Sequence, residues 1–441
     1  MNFYKNKFFG LIILIAQVFV LGCDTKKDNA SAANITKAEI RLLDGSYSIY
    51  LNDVPFYAKG AGVEHGNLEL LAEHGANAFR TWRTDNGKRS GKEVLDHAQK
   101  LGLKVMMGID VGLERLGFDY NDQKAVEKQF NRIQKEVMDL KDHPALIIWA
   151  IGNELNHHAT NPKVWDAVND ISKMIHEIDP YHLTTTPISG MDKSTVELIE
   201  KRAPDVDFLS IQMYGAIEIL PEIIKNLNYE KPLMVTEWGA TGYWEVPKTS
   251  WGAPIENNSS IKADFYLQRY RKSIEAQSDL VIGSFVFLWG QKQERTPTWF
   301  GMFLPDGNES ESIDVMHFVW KGEWPENRSP RLEDFTLESE RAEDNIELKP
   351  DGSYSALVKV SDPDNDSLSY HWEIMNESQS RATGGDAEIV PEAIKGLFSG
   401  NPNVQASFSA PSDSGAYRLF VYIEDGHRHT AHANIPFLVK K

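Results

Sequence analysis

Short apolar runs with no alternation, separated by longer stretches of helical periodicity, recur from Pro55 to the neighbourhood of Trp324. The runs are Tyr57–Val63, Ala78–Trp82, Val105–Asp110, Leu146–Gly152, Thr184–Ile188, Phe208–Tyr214, Leu233–Glu237 and Val281–Trp289. Uninterrupted Ile, Leu, Val and Met is what a strand buried on both faces looks like. Between them lie amphipathic patterns at Gly91–Leu101, Ala125–Leu140, Val164–Ile178, Val196–Lys201, Ile219–Leu227 and Ile261–Ala276. Eight strands in βα alternation over roughly 270 residues predict an α/β fold, a (β/α)8 TIM barrel. The alternative is a doubly wound open sheet. No Gly-rich phosphate loop follows any run, and the residues with chemical potential sit at several different run ends, which favours the closed barrel.

Both flanks read differently. Residues 38–54 form a hairpin pattern, Ala38–Leu43 and Tyr47–Leu51 about a turn at Asp44-Gly45-Ser46, so the barrel domain spans 38–328. Beyond Trp324-Pro325 the pattern changes to period-2 runs, among them Tyr354–Val360, Leu368–Ile374, Tyr417–Ile423 and Ala431–Val439. These predict an all-β, immunoglobulin-like sandwich over 331–441, with Trp372 as a buried central-strand tryptophan and Tyr417 as a tyrosine corner. All candidate catalytic residues precede it. The sandwich is therefore expected to support or position the barrel without contributing catalytic groups, and a chain cut near Arg328, if folded, to keep its kcat on a short soluble oligosaccharide.

At the N-terminus, Lys5 and Lys7 precede an apolar stretch, Phe8–Leu21, shorter than the ~20 residues a bilayer requires. It ends in Val20-Leu21-Gly22-Cys23, which resembles a bacterial lipoprotein processing box. Cys23 is the only cysteine, so no intramolecular disulfide forms and lipidation is its expected fate. The expectation is a signal peptide over 1–22, a polar tether over 23–37, and a monomer held in the bacterial cell envelope by a lipid anchor, at the outer membrane surface or in the periplasm. The net charge of −18 argues against nucleic acid as a partner, since little could neutralise a phosphate backbone.

Two runs end on glutamate: Ile147-Ile148-Trp149-Ala150-Ile151-Gly152-Asn153-Glu154 and Pro232-Leu233-Met234-Val235-Thr236-Glu237-Trp238-Gly239. A carboxylate is costly at the end of a buried strand unless it has a task there. Two of them suggest glycoside hydrolysis, whose retaining form needs a proton donor and a nucleophilic carboxylate ~5–5.5 Å apart. By strand count Glu154 ends the fourth strand and Glu237 the seventh, across the mouth from one another. His65, Asp110 and Asn156 follow the first, third and fourth strands and are candidates to bind substrate. Trp244, Trp251, Trp299 and Phe300 fall in the last loops, where aromatic faces could line a glycan cleft. His157 and His158 invite a zinc reading, but adjacent histidines point to opposite sides and the helical His-Glu-x-x-His spacing is missing, so neither metal nor cofactor is expected.

With these residues the chain resembles glycoside hydrolase clan A, the retaining (β/α)8 hydrolases marked by Asn-Glu on the fourth strand and Glu on the seventh. The resemblance covers roughly residues 38–325. It implies that Glu154 is the acid/base, Glu237 the nucleophile and Asn153 the partner of the sugar 2-hydroxyl. It further implies that Arg80 stands beside the nucleophile, that Tyr214 hydrogen-bonds it, and that Trp289 floors the subsite of the reacting sugar. Tyr57-x-x-Lys59-Gly60-Ala61-Gly62 and Ile151-Gly152-Asn153-Glu154 are similar to the barrel of family 2. The bare barrel with a C-terminal immunoglobulin-like module is similar to the layout of family 158 endo-β-1,3-glucanases. The implied activity is retaining hydrolysis of a β-linked polysaccharide or oligosaccharide by double displacement through a glycosyl-enzyme, with endo action on β-1,3-glucan as the favoured reading. The alternatives are an exo-β-glycosidase of family 2 type, a β-glucan transglycosylase, and a non-catalytic surface glycan-binding lipoprotein.

Overall fold

The computed structural model describes residues 35–441. The expected signal peptide, Cys23 and most of the expected tether lie outside the described residues. The chain opens with three antiparallel strands, β1 (Ala38–Leu43), β2 (Ser46–Leu51) and β3 (Val54–Phe56), one more than the expected hairpin. They sit under the barrel: Ala38 N–H donates to Tyr181 C=O and Tyr47 N–H to Asp279 C=O, each at 2.8 Å. Both acceptors precede barrel strands. The fully buried Ile49 packs with Ala58, Met106 and Ile282, so this sheet closes the end of the barrel away from the strand C-termini.

Eight parallel strands close the barrel: β4 (Ala58–Gly62), β5 (Ala78–Arg80), β6 (Lys104–Ile109), β7 (Leu146–Ile151), β8 (Leu183–Ser189), β9 (Phe208–Gln212), β10 (Leu233–Gly239) and β11 (Val281–Phe287). β9 pairs with β10 to complete the ring. Each strand is followed by one helix: α1 (Leu68–Glu73), α2 (Gly91–Lys100), α3 (Gln123–Leu140), α4 (Lys163–Ile178), α5 (Lys193–Arg202), α6 (Leu220–Leu227), α7 (Ser259–Arg269) and α8 (Glu311–Lys321). Ala, Met, Ile and Phe fill the interior, as at Ala78, Met106, Ile148, Met234 and Phe285. Among the described residues, no helix is long and apolar enough to cross a membrane.

The C-terminal part is a sandwich of two sheets. β13 (Arg331–Leu337), β15 (Ser353–Ser361), β18 (Gln405–Ser409) and β17 (Phe398–Ser399) form one. β16 (Ser369–Asn376), β19 (Gly415–Glu424) and β20 (His429–Val439) form the other, which β12 (Glu309–Ser310) and β14 (Glu347–Leu348) extend. Trp372 is buried and donates its indole N–H to Asn403 C=O at 2.9 Å; the Tyr417 hydroxyl donates to Asp413 C=O at 3.0 Å, four residues upstream, as a tyrosine corner does. The two parts interlock. β12 precedes α8 in the chain yet pairs in parallel with β20, and Ile255, from the loop after β10, sits in the sandwich core.

Candidate active site

The C-terminal ends of β5, β7, β9 and β10 deliver side chains to one point, because residues two apart on a strand share a face. Glu237 lies in β10 and is 5% exposed. Its Oε1 accepts from the indole N–H of Trp82 at 2.7 Å and from Arg80 Nη1 at 3.2 Å, and its Oε2 accepts from the Tyr214 hydroxyl at 2.8 Å. A carboxylate, with acceptors only, suits all three donors. Arg80 is fully buried and reaches the other way too, its Nη2 donating to Asn153 Oδ1 at 2.8 Å. Gln212 Nε2 donates to the same oxygen at 2.7 Å. With its oxygen so occupied, the Asn153 amide has its NH2 left to donate.

Glu154 follows β7 in a left-handed backbone conformation, φ 49°, which costs energy in a residue with a side chain and is typical of functional sites. Burial, and then the Glu237 carboxylate nearby, push its pKa up to about 8. Two carboxyls whose surroundings differ in this way divide into an acid and a base.

A cavity of about 280 Å³ contains both glutamates, Asn153 and Tyr214. Its walls come from the ends of seven of the eight strands, all but β8: Glu64 and Arg83, Asp110 and Arg115, Trp82 and Phe287, Trp244, then Lys292 and Glu294. The last wall is Gly384 and Gly385, from the sandwich. Residues 331–441 thus do more than support or position the barrel, because the long connection between β16 and β17 crosses to the mouth, but the two residues that they add to the pocket wall are glycines with no catalytic group.

Several expected positions move. Trp289 is fully buried, donates to Asn67 C=O at 2.8 Å and packs on Phe303 and Trp320, so it does not floor the pocket. β11 ends at Phe287, two residues early, and past that point the alternation no longer governs where a side chain points; Phe287 takes the pocket-facing place. His65 lines a neighbouring cavity with Asn67 and His97. Asn156 is spent on the backbone of Ser189, donating at 2.8 Å and accepting at 2.9 Å. Trp299 and Phe300 are buried beneath the rim. His157 and His158 do not diverge: their rings lie 4.2 Å apart, because His158 takes φ 54°. Asp110 and Trp244 line the pocket.

Trp82, Gln212 and Glu294 were missed. The first two had a signal: Trp82 stands two residues after Arg80 and Gln212 two before Tyr214, on the same strand faces. Glu294 lies in a loop with no periodicity to place it. It is buried in the wall 3.4 Å from Lys292, and burial raises its pKa.

Residues 62–243 match the family model described as glycosyl hydrolases family 2, TIM barrel domain. Over these residues the barrel is similar to a family 2 glycosyl hydrolase TIM barrel domain. A β-glucuronidase of Streptococcus agalactiae is 23% identical over 298 residues, which cover 58% of this chain and 47% of that protein. A solved structure of Bacteroides uniformis β-glucuronidase 2 aligns with 91% of this chain and 48% of its own at 15% identity and a TM-score of 0.50. One of a Ruminococcus gnavus β-glucuronidase aligns with 65% and 53% at 17% identity and a TM-score of 0.51. At these identities the structural likeness is one of fold, and the chain spans about half the length of each relative.

Proposed function

We propose that the protein is a retaining β-glycosidase that removes a terminal sugar from a β-linked glycan. The observation that carries this is the unequal pair: Glu237 held by three donors, and Glu154 kept protonated by burial. In the first step a Glu237 oxygen attacks the anomeric carbon while the bond from that carbon to the leaving oxygen breaks. The Glu154 proton goes to the leaving oxygen. In the second step water attacks the glycosyl ester, Glu154 takes the water proton, and the Glu237 carboxylate is restored. Asn153 offers its NH2 to a sugar hydroxyl.

Supporting an exo-acting enzyme over an endo-β-1,3-glucanase are a pocket walled from seven of the eight strand ends and by the sandwich, and relatives named β-glucuronidase and β-galactosidase. Those names make glucuronate and galactose the first sugars to test. Lipidation at Cys23 remains our proposal for anchoring, and mass spectrometry of the mature N-terminus tests it.

The test of function is a panel of 4-nitrophenyl β-glycosides with β-glucan and galactan alongside, the first product being followed by NMR. Release with retained anomeric configuration is expected, abolished in Glu237→Ala and rescued by azide in Glu154→Ala. Inversion would overturn the reading. Because Glu154 must be protonated to act, the rate should fall as pH rises through about 8, and Glu154→Gln should lose that limb on an activated aryl glycoside.

A further inference from the structure

The β16–β17 connection is bolted to the barrel mouth on both flanks. On one side Arg115 pairs with Asp386 at 3.0 and 3.3 Å. On the other, Arg295 pairs with Glu388, whose side chain is fully buried, and donates to Ser380 C=O and Ala382 C=O. Tyr243, covered by the Arg295 guanidinium at 4.3 Å, also donates to Ala382 C=O. Gly384 and Gly385 adopt φ 60° and 76°, and a Cβ at either would meet Arg115 at 3.0 Å or Lys292 at 2.9 Å. The left-handed backbone at both positions is what favours glycine, since the ends of the Arg115 and Lys292 side chains can give way.

Behind this segment lies a second cavity, about 460 Å³, between the loop after β10 and the sandwich. Trp251 and Lys248 line it from the barrel, Gln379 and Arg381 from the sandwich. Trp244, 52% exposed, belongs to both cavities and forms the step between them. Nothing in the hydrolysis described above uses this second cavity.

We propose that the second cavity is the leaving-group subsite, and that the C-terminal module thereby selects the glycan rather than merely supporting the barrel. The inference rests on the exo-glycosidase reading. With the terminal sugar filling the catalytic pocket, the rest of the glycan must pass the rim, and Trp244 is where the rim opens into a further hollow. Trp244 and Trp251 offer apolar faces for sugar rings, while Lys248, Gln379 and Arg381 offer hydrogen bonds to hydroxyls. The substrate is accordingly an oligosaccharide with at least one sugar beyond the scissile bond, not a glycoside of a small aglycone.

Two variants test this, Trp251→Ala and a replacement of residues 379–387 by a Gly-Ser linker of equal length. Each is assayed on the 4-nitrophenyl β-glucuronide or β-galactoside that the wild type cleaves, and on a β-linked trisaccharide with the same terminal sugar. In both variants the trisaccharide is expected to lose kcat/KM about tenfold more than the aryl glycoside, through KM, as loss of one aromatic contact implies. Trp251→Phe should restore most of the ratio. Equal losses on both substrates, or no change on either, would overturn the inference. Inverting or absent hydrolysis by the wild type counts instead against the exo-glycosidase reading; binding of the trisaccharide to Glu237→Gln, measured by calorimetry with and without Trp251→Ala, then still decides the subsite, unchanged affinity refuting it.

Discussion

α3 and α8 stand in the same ring around the same barrel, yet they bury different chemistry. α3 sinks one stripe, Gln129, Ile133, Val137 and Leu140, and gives the rest to solvent. α8 buries Glu311, Ser312, Ile313, Asp314, Val315, Met316, His317 and Trp320, charged groups included. The cause is what lies outside each helix. Over α8 sits the sandwich, with Arg331 pairing with Glu311 at 2.6 Å, Ser329 N–H donating to Asp314 at 2.7 Å, and His429 3.3 Å from Asp314. Next to it Glu256 is wholly buried with Lys262, Thr296, Thr298 and Asn434. The loops after β10 and β11, which carry Trp244 and Glu294, run through this polar joint. One half of the barrel stands alone; the other half is finished by the second module.

The largest expected effect follows directly. A chain ending at Arg328 uncovers these buried charges and removes a pocket wall, so it should lose soluble yield and turnover together. A folded truncation with full kcat would break the contrast between the two halves. Next comes Arg418→Met. Arg418 is 2% exposed, holds Glu377 through two bonds at 2.7 and 2.9 Å, and donates to Pro254 C=O on the barrel. Leaving Glu377 buried and unpaired should cost ~3–5 kcal/mol by urea unfolding. A loss below ~1 kcal/mol would mean that the joint is solvated.

The same joint sets an acid limit. Burial alone would raise Glu256, but the Lys262 ammonium, His432 and the hydrogen bonds around it bring it down to about 2. A depressed carboxyl contributes stability above the usual carboxylate range, and that stability is lost as pH falls toward 2. Melting temperature should therefore drop through this window, and less steeply in Glu256→Gln. Smaller still is Trp82→Phe on the open half, which keeps the ring but removes a donor to Glu237. It should lower kcat about tenfold to a hundredfold, a hydrogen bond to a charged group contributing ~1.5–3 kcal/mol, with melting little changed. Smallest is Lys92→Ala, which breaks an exposed i,i+4 pair with Asp96 on α2 and should stay within ~1 kcal/mol.

The open half was also the legible half. α2, α3 and α4 are readable from periodicity because one face meets the core and the other meets water, and β6 and β7 are readable as unbroken apolar runs because both of their faces are buried. α8 escaped for the opposite reason: with both faces covered, Glu311-Ser312-Ile313-Asp314 shows no stripe. α1 is only six residues long. At the site, Glu154, Glu237, Arg80 and Tyr214 were visible because strand ends aim side chains predictably. Trp289 was misplaced as soon as the strand stopped. The wall made by Gly384 and Gly385 could not be read at all, since a contact between residues 115 and 386 leaves no local trace.

The roles of the two glutamates are the core of the account, and trapping the first intermediate tests them most directly. The wild-type protein would be incubated with a 2-deoxy-2-fluoro β-glycoside of the preferred sugar bearing a dinitrophenolate leaving group, then digested and mapped by mass spectrometry. The account predicts one glycosyl adduct, on Glu237, with inactivation following its formation. An adduct on Glu154, Glu294 or any other residue would contradict it.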